Sequence, residues 1–382
     1  MKIVHVITRL IIGGAQENTV LTCRGLVESG HEVTLVAGTE TGPEGSLWPR
    51  AEACGCRIVR SRHLRRAIRP WADWRAVGEL ERAFRTLQPD VVHTHSSKAG
   101  ILGREAARRA GVPVIVHTIH GMSFNRTQPW WTRTAYRFLE RRAGRFTTAL
   151  VSVADAMTEQ AVAAGLAPRE RFTTVRSGME LDQFGPDEKV RGAVRKAWGV
   201  RDTDVVVGTM ARLFANKGYE EVLAAMPESV RRVPELRFVW VGDGAHRAVY
   251  ERRLHGLGLR DRVHLTGLVP PDEVGRLIKG FDIVLHASRW EGLPRAVVQG
   301  LLTEVPVVSF DNDGAGEVVH DNATGKLVPY GDIAGLTNAI VELAEHPDLR
   351  RTLGARGRAL CAREFDWRKM VAELERLYAR LA

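Results

Sequence analysis

The strongest constraint on this fold is one local pattern repeated in two separate series: an apolar strand, a short turn, then an amphipathic helix. The first series opens at Lys2–Thr8 and passes through Gly13-Gly14-Ala15-Gln16-Glu17 into a helical run to Glu28. Gly30-His31 ends that run before a second strand, Glu32–Ala37. The second series opens at Asp204–Met210 and again leads into an amphipathic helix. Strands alternating with helices predict βαβ units and parallel sheets. A chain of 382 residues has room for two domains, each with its own core. The expected class is therefore α/β, with one Rossmann-like domain over residues 1–185, a linker from Pro186 and a second over 186–365.

Composition excludes several classes. With 44% hydrophobic and 26% charged residues, the chain reads as globular, and no apolar run is long enough to span a bilayer. The opening Met-Lys-Ile-Val-His-Val-Ile-Thr is short and β-like, unlike a secretion leader. Cys23, Cys54, Cys56 and Cys361 lack metal or redox spacing, so buried, reduced thiols in the cytoplasm are expected. The net charge of +10 is uneven. Residues 1–185 carry 26 Lys and Arg against 17 Asp and Glu, and the remainder 29 against 28. Arginines crowd Arg57–Arg75 together with Trp71 and Trp74, and a second cluster joins Trp130, Trp131, Arg133, Arg137, Arg141, Arg142 and Arg145. Basic and aromatic residues together suit either an anionic membrane surface or nucleic acid. A solvated arginine-rich surface is the plain alternative. No nucleic-acid motif accompanies the charge, so no nucleic-acid partner is expected.

The chemistry-bearing stretch is Ser288–Thr303. An apolar run, Phe281–His286, reads as a buried strand, followed by a loop, Pro294 at a first helical position and a helix-period run. Amides around Gly292, Leu293 and Arg295 would form a helix N-terminus suited to a phosphate. Glu291 and Gln299 flank that end and offer hydrogen bonds to sugar and ribose hydroxyls. After the first strand of the second series come Arg212 and Lys217, a planar fork and a compact charge that suit a diphosphate. In the first half, His95 and His120 stand at the C-terminal ends of the strands Pro89–His95 and Val112–Ile119, where open α/β sheets bind ligands. His93 and His95 alternate with Thr94, and one of the pair is expected to face the ligand. Zinc held by His93, His95, His117 and His120 lacks a completing carboxylate or cysteine.

These motifs together resemble the retaining glycosyltransferases of family 4, which have the GT-B fold. The resemblance spans nearly the whole chain. It rests on Glu291 in an Glu-x7-Glu pattern whose second position is here Gln299, and on Ala211-Arg212-Leu213 with Lys217-Gly218. It also rests on Gly13-Gly14, His120-Gly121, Gly178 with Phe184, Gly242-Asp243-Gly244, and Gly325 to Asp332. It implies two Rossmann-like domains facing across a cleft, with a last helix, 366–382, crossing back to the first. It implies a hexosyltransferase that takes a nucleotide-diphosphate sugar, with UDP the expected nucleotide. The acceptor would be a glycan or lipid-linked molecule in cell-surface polysaccharide assembly, met in the cytoplasm or at the inner face of its membrane. Carried over by position, the catalytic set is His120, Arg212, Lys217 and Glu291. Donor contacts would add Gly267, Val269, Gly292, Leu293, Pro294 and Gln299. Acceptor contacts would add Gly13, Gly14, Ala15, His95 and Gly178. Asp311-x-Asp313 matches a turn rather than a metal motif, with Glu317 the matching acid, so no metal or other cofactor is expected. A nucleotide-sugar 2-epimerase and a binding module without catalysis, raised by Gln299, are the alternatives.

Overall fold

The protein, seen as a computed structural model, is described at every residue except 43, 126 and 127. It divides into two units, Met1–Gly178 with Trp367–Ala382, and Met179–Asp366. Each is built on one sheet.

The first sheet contains β1 (Lys2–Ile7), β2 (Glu32–Gly38), β3 (Arg57–Ser61), β4 (Val91–His95), β5 (Val114–Ile119), β6 (Ala149–Ser152) and β7 (Phe172–Thr174). Their order is β3-β2-β1-β4-β5-β6-β7, and every pairing is parallel. The order reverses direction between β1 and β4, the switch point beside which doubly wound sheets bind ligands. Strand alternation divides the core in two. Ile3, Ile7, Leu35 and Val91 face one side, and Val4, Val6, Val36 and Val92 the other. The first side is covered by the helix Gly14–Glu28 and the last helix, Trp367–Leu381. Trp367, Met370, Val371, Leu374, Leu377 and Tyr378 of that last helix are all buried in this core. A Cβ on Gly25 would stand 2.5 Å from a Val371 methyl, so the missing side chain sets how closely the two helices approach.

The second sheet contains β8 (Val205–Met210), β9 (Leu236–Val241), β10 (Val263–Gly267), β11 (Ile283–His286), β12 (Val307–Asp311) and β13 (Gly325–Pro329). It runs β10-β9-β8-β11-β12-β13, again all parallel, with its switch point between β8 and β11. Tyr219, Trp240 and Tyr250 pack edge-on and tilted at its centre.

The unit boundary falls after Gly178, earlier than the 185/186 division expected from Pro186. The segment Met179–Gly185 belongs to the second unit because Gln183 and Phe184 pack against Gly275 there. The return falls at Trp367.

Candidate active site

In the second unit, the turn after β8 is fixed by Gly218, whose φ is 75°. A Cβ there would meet the Ala287 carbonyl oxygen at 1.8 Å, so only glycine allows this turn to lie against the end of β11. The approach sets Lys217 beside the loop that follows β11. Its ammonium donates to Glu291 Oε1, which also accepts from Ser288 Oγ at 2.8 Å. His286 Nε2 lies 3.7 Å from the same oxygen. Burial opposes ionisation of Glu291, but the Lys217 charge and the His286 hydrogen bond outweigh it, holding the carboxyl well below its usual range. The loop is tied from the next strand as well. Asp313, at φ 51°, accepts the Glu291 N–H at 2.6 Å, and the Gly314 N–H donates to the Gly292 carbonyl at 3.2 Å. Asp313 is thus a loop clamp, a role its Asp-x-Asp setting did not suggest.

The helix after this loop begins at Arg295, with Pro294 as its N-cap residue rather than its first turn. Gly292, Leu293 and Pro294 are buried, and Gln299 is half-buried one turn on. Arg212 is exposed, with its guanidinium 5.0 Å above the Phe214 ring. Gly267, at φ 74°, accepts the Gly242 N–H at 3.1 Å, and Val269 follows half-buried.

In the first unit, a pocket of about 250 Å³ opens at the C-terminal ends of β4 and β5. Its lining includes Ala15, Ser96, His120, Gly121 and Glu140. Gly13 caps the helix that brings Ala15 there, and Gly14 is exposed. Behind His120 runs a line of rings. His95 Nδ1 lies 3.1 Å from His120 Nε2, and His95 Nε2 lies 2.9 Å from His5 Nδ1. The expectation that only one of His93 and His95 faces the site fails, because residues two apart in a strand share a face. Their rings stack at 4.4 Å. They differ in depth instead: His95 reaches the strand end, while His93 bonds Tyr378 and, at 2.6 Å, Thr118. His117 lies on the opposite face and bonds Thr94 at 2.9 Å, so the four-histidine zinc set is not assembled.

Gly178 also departs from its expected place as an acceptor contact. It is buried where a Cβ would stand 2.4 Å from Trp367 Cα, and it spaces the last helix. Sequence reasoning passed over His5, which looks like any inward strand residue, and Ser96. Ser96 has φ 62°, strained for a serine, and its Oγ is 2.7 Å from Thr8 Oγ1. Nothing local in the sequence marks either residue.

A second surface is exposed on the same unit. The helix Trp130–Gly144 buries only Glu140, Ala143 and Gly144. Trp130 is 75% exposed and Phe138 66%, and Trp71 and Trp74 stack at 5.3 Å in the open. No helix among the described residues is long and apolar enough to cross a membrane.

Comparison with known proteins agrees with this layout. Residues 190–360 match the model of glycosyl transferases group 1, and residues 13–178 match the glycosyl transferase 4-like domain. The chain is 27% identical to an Escherichia coli UDP-Gal:alpha-D-GlcNAc-diphosphoundecaprenol alpha-1,3-galactosyltransferase, covering 90% of this chain and 88% of that one. It is 29% identical to a Mycolicibacterium smegmatis GDP-mannose-dependent alpha-(1-6)-phosphatidylinositol monomannoside mannosyltransferase, over 91% and 90%. In fold it is similar to Anabaena HepE, solved in complex with UDP and glucose, at a TM-score of 0.86 and 20% identity over the full length of both chains. It is also similar to the sucrose-phosphate synthase of Thermosynechococcus elongatus, at 0.83 and 19% over 100% and 99%.

Proposed function

Because the chain belongs to the glycosyltransferases, with a 4-like domain followed by a group 1 domain on the GT-B fold, we propose that it moves a hexose from a UDP-sugar to a lipid-linked glycan acceptor with retention at the anomeric carbon. The observation that carries this reading is the cluster of Lys217, Ser288 and Glu291, drawn together at the switch point of the second sheet.

In this reading the second unit holds the donor. The diphosphate takes charge from Lys217 and Arg212 and meets the helix that starts at Arg295. Positive charge at that place stabilises a leaving group that gathers negative charge as the glycosidic bond breaks. Glu291, kept ionised by its surroundings, accepts hydrogen bonds from sugar hydroxyls, and Gln299 bonds the ribose. No carboxylate is assigned as a nucleophile. The acceptor attacks from the face the nucleotide leaves, and a phosphate oxygen takes its proton, which gives retention. Two cations meet the diphosphate charge, so the reaction calls for no metal ion.

The first unit takes the acceptor, with His120 at its pocket. UDP is favoured by the nucleotides named for the E. coli relative and for HepE. A lipid-linked acceptor is favoured by the diphosphoundecaprenol and phosphatidylinositol substrates of the two relatives. The exposed tryptophans and neighbouring arginines fit an anionic bilayer surface, where such an acceptor resides at the cytoplasmic face. Isothermal titration with UDP and GDP, followed by NMR of the product's anomeric proton, tests the reading. UDP binding with a retained configuration is expected. Binding of GDP alone overturns the donor, and inversion overturns the mechanism.

A further inference from the structure

The mechanism above leaves a group of buried histidines unused on the sheet face covered by the last helix: His5, His93 and His95. Their nearest ring nitrogens lie within 4.8 Å of one another, a spacing that could also suit a metal ion. The hydrogen bonds argue for another use. His93 spends both nitrogens, on Tyr378 and Thr118. His5, His95 and His120 form a continuous line, with nitrogen-to-nitrogen separations of 2.9 and 3.1 Å.

That line has one direction. His5 Nε2 is buried with no hydrogen-bond partner among the described residues. A buried N–H without an acceptor is rarer and costlier than a buried lone pair without a donor, so the single proton of a neutral His5 sits on Nδ1. His5 Nδ1–H then donates to His95 Nε2. His95 must carry its own proton on Nδ1, which donates to His120 Nε2. His120, accepting at Nε2, holds its proton on Nδ1. Burial pushes His5 down to about 3 and His95 well below the ordinary histidine value, so both rings are neutral as this assignment requires.

We propose that His5 and His95 are positioning residues that lock His120 in the Nδ1–H tautomer, making it a hydrogen-bond donor in sugar transfer and not the base that deprotonates the acceptor. The proposal rests on the reading of His120 as a site residue and deepens it. A donor at this place can hold a hydroxyl oxygen of the molecule bound in the first unit's pocket. The acceptor proton is left to the departing phosphate, as the retaining mechanism requires.

The test is the ring tautomer itself, read on the full chain labelled with ¹⁵N-histidine by long-range ¹H–¹⁵N correlation, with His120→Gln assigning the His120 signals. The Nδ1–H form is expected at His120, shifting in His5→Phe toward the Nε2–H form that unconstrained imidazoles favour. An Nε2–H form in the native chain, or a tautomer indifferent to His5→Phe, overturns the proposal. So does stoichiometric zinc on the purified protein that is lost in His5→Phe. Nucleotide release from UDP-glucose or UDP-galactose, whichever turns over, adds a second readout. His5→Phe should lower kcat roughly three- to tenfold at unchanged KM, and His5→Asn, whose amide N–H reaches near the Nδ1 position, should restore it. If His5→Phe does not fold, His5→Asn and the native spectrum still decide. Full turnover in His120→Ala would sink the role of His120 in transfer, while the measured tautomer would still judge the relay.

Discussion

The ammonium of Lys217 and the carboxylate of Glu291, 74 residues apart in sequence, meet as an ion pair at the end of β11. Both side chains are largely shielded, at 16% and 24% exposure. Each therefore meets the other before it meets any ligand, and on the proposed reading a diphosphate arriving at Lys217 would share a cation that is already partnered.

Removing Lys217 should therefore do two things. Lys217→Ala is expected to lower kcat about 100- to 1,000-fold, in line with losing a group aimed at developing charge. It should also weaken UDP binding measured by titration calorimetry. Unchanged UDP affinity would move the diphosphate away from Lys217.

Glu291 makes a prediction in pH. Its carboxyl is held below the ordinary 4.5, since Lys217 and His286 outweigh the opposing effect of burial. A group with a depressed folded-state pKa contributes stability in full above its unfolded-state pKa and loses it as pH falls toward the folded value. The stability advantage of the native chain over Glu291→Gln should be constant from pH 7 to about 5 and shrink on further acidification. Urea unfolding curves at several pH values read this directly. An advantage that grew in acid would contradict the ion pair.

Gly218 carries both a left-handed φ and a backbone approach of 1.8 Å to the position a Cβ would need. Gly218→Ala should cost about 2 kcal/mol or more in urea unfolding, and its residual activity should fall beyond what the lost stability explains, because Lys217 is displaced. An alanine variant of native stability and turnover would show that the turn does not hold Lys217.

The exposed aromatic face predicts lipid dependence. Trp130→Ser with Trp131→Ser should reduce co-sedimentation with phosphatidylglycerol vesicles several-fold while leaving UDP binding intact, since each buried tryptophan contributes on the order of 2 kcal/mol at an interface. Equal sedimentation with neutral phosphatidylcholine vesicles would remove the anionic-surface reading.

What could be read from the sequence follows from the range of each interaction. The paired strand–helix series and the turns at Gly13-Gly14 and Lys217-Gly218 were legible because period, glycine and proline act over a few residues. Glu291 and Lys217 each stood out in the sequence, but their ion pair did not, since spacing in sequence says nothing about a contact across a sheet. Gly178 shows the same limit: its reason for being glycine lies in Trp367, at the other end of the chain. The face shared by His93 and His95 was legible in principle, because strand residues two apart always share one. The direction of the His95 hydrogen bonds was not, because it depends on His5, on the neighbouring strand β1.

The last helix has a consequence for how the protein is made. A ribosome releases the first unit's sheet long before Trp367 leaves the exit tunnel, so its newborn apolar face must wait only partly covered, by the helix Gly14–Glu28, through the synthesis of the entire second unit. Trp367, Met370, Leu374 and Tyr378 close that face only after the whole second unit has been made. A stop codon at Trp367 would release a chain with both sheets but one greasy, chaperone-seeking side, however sound its first 178 residues.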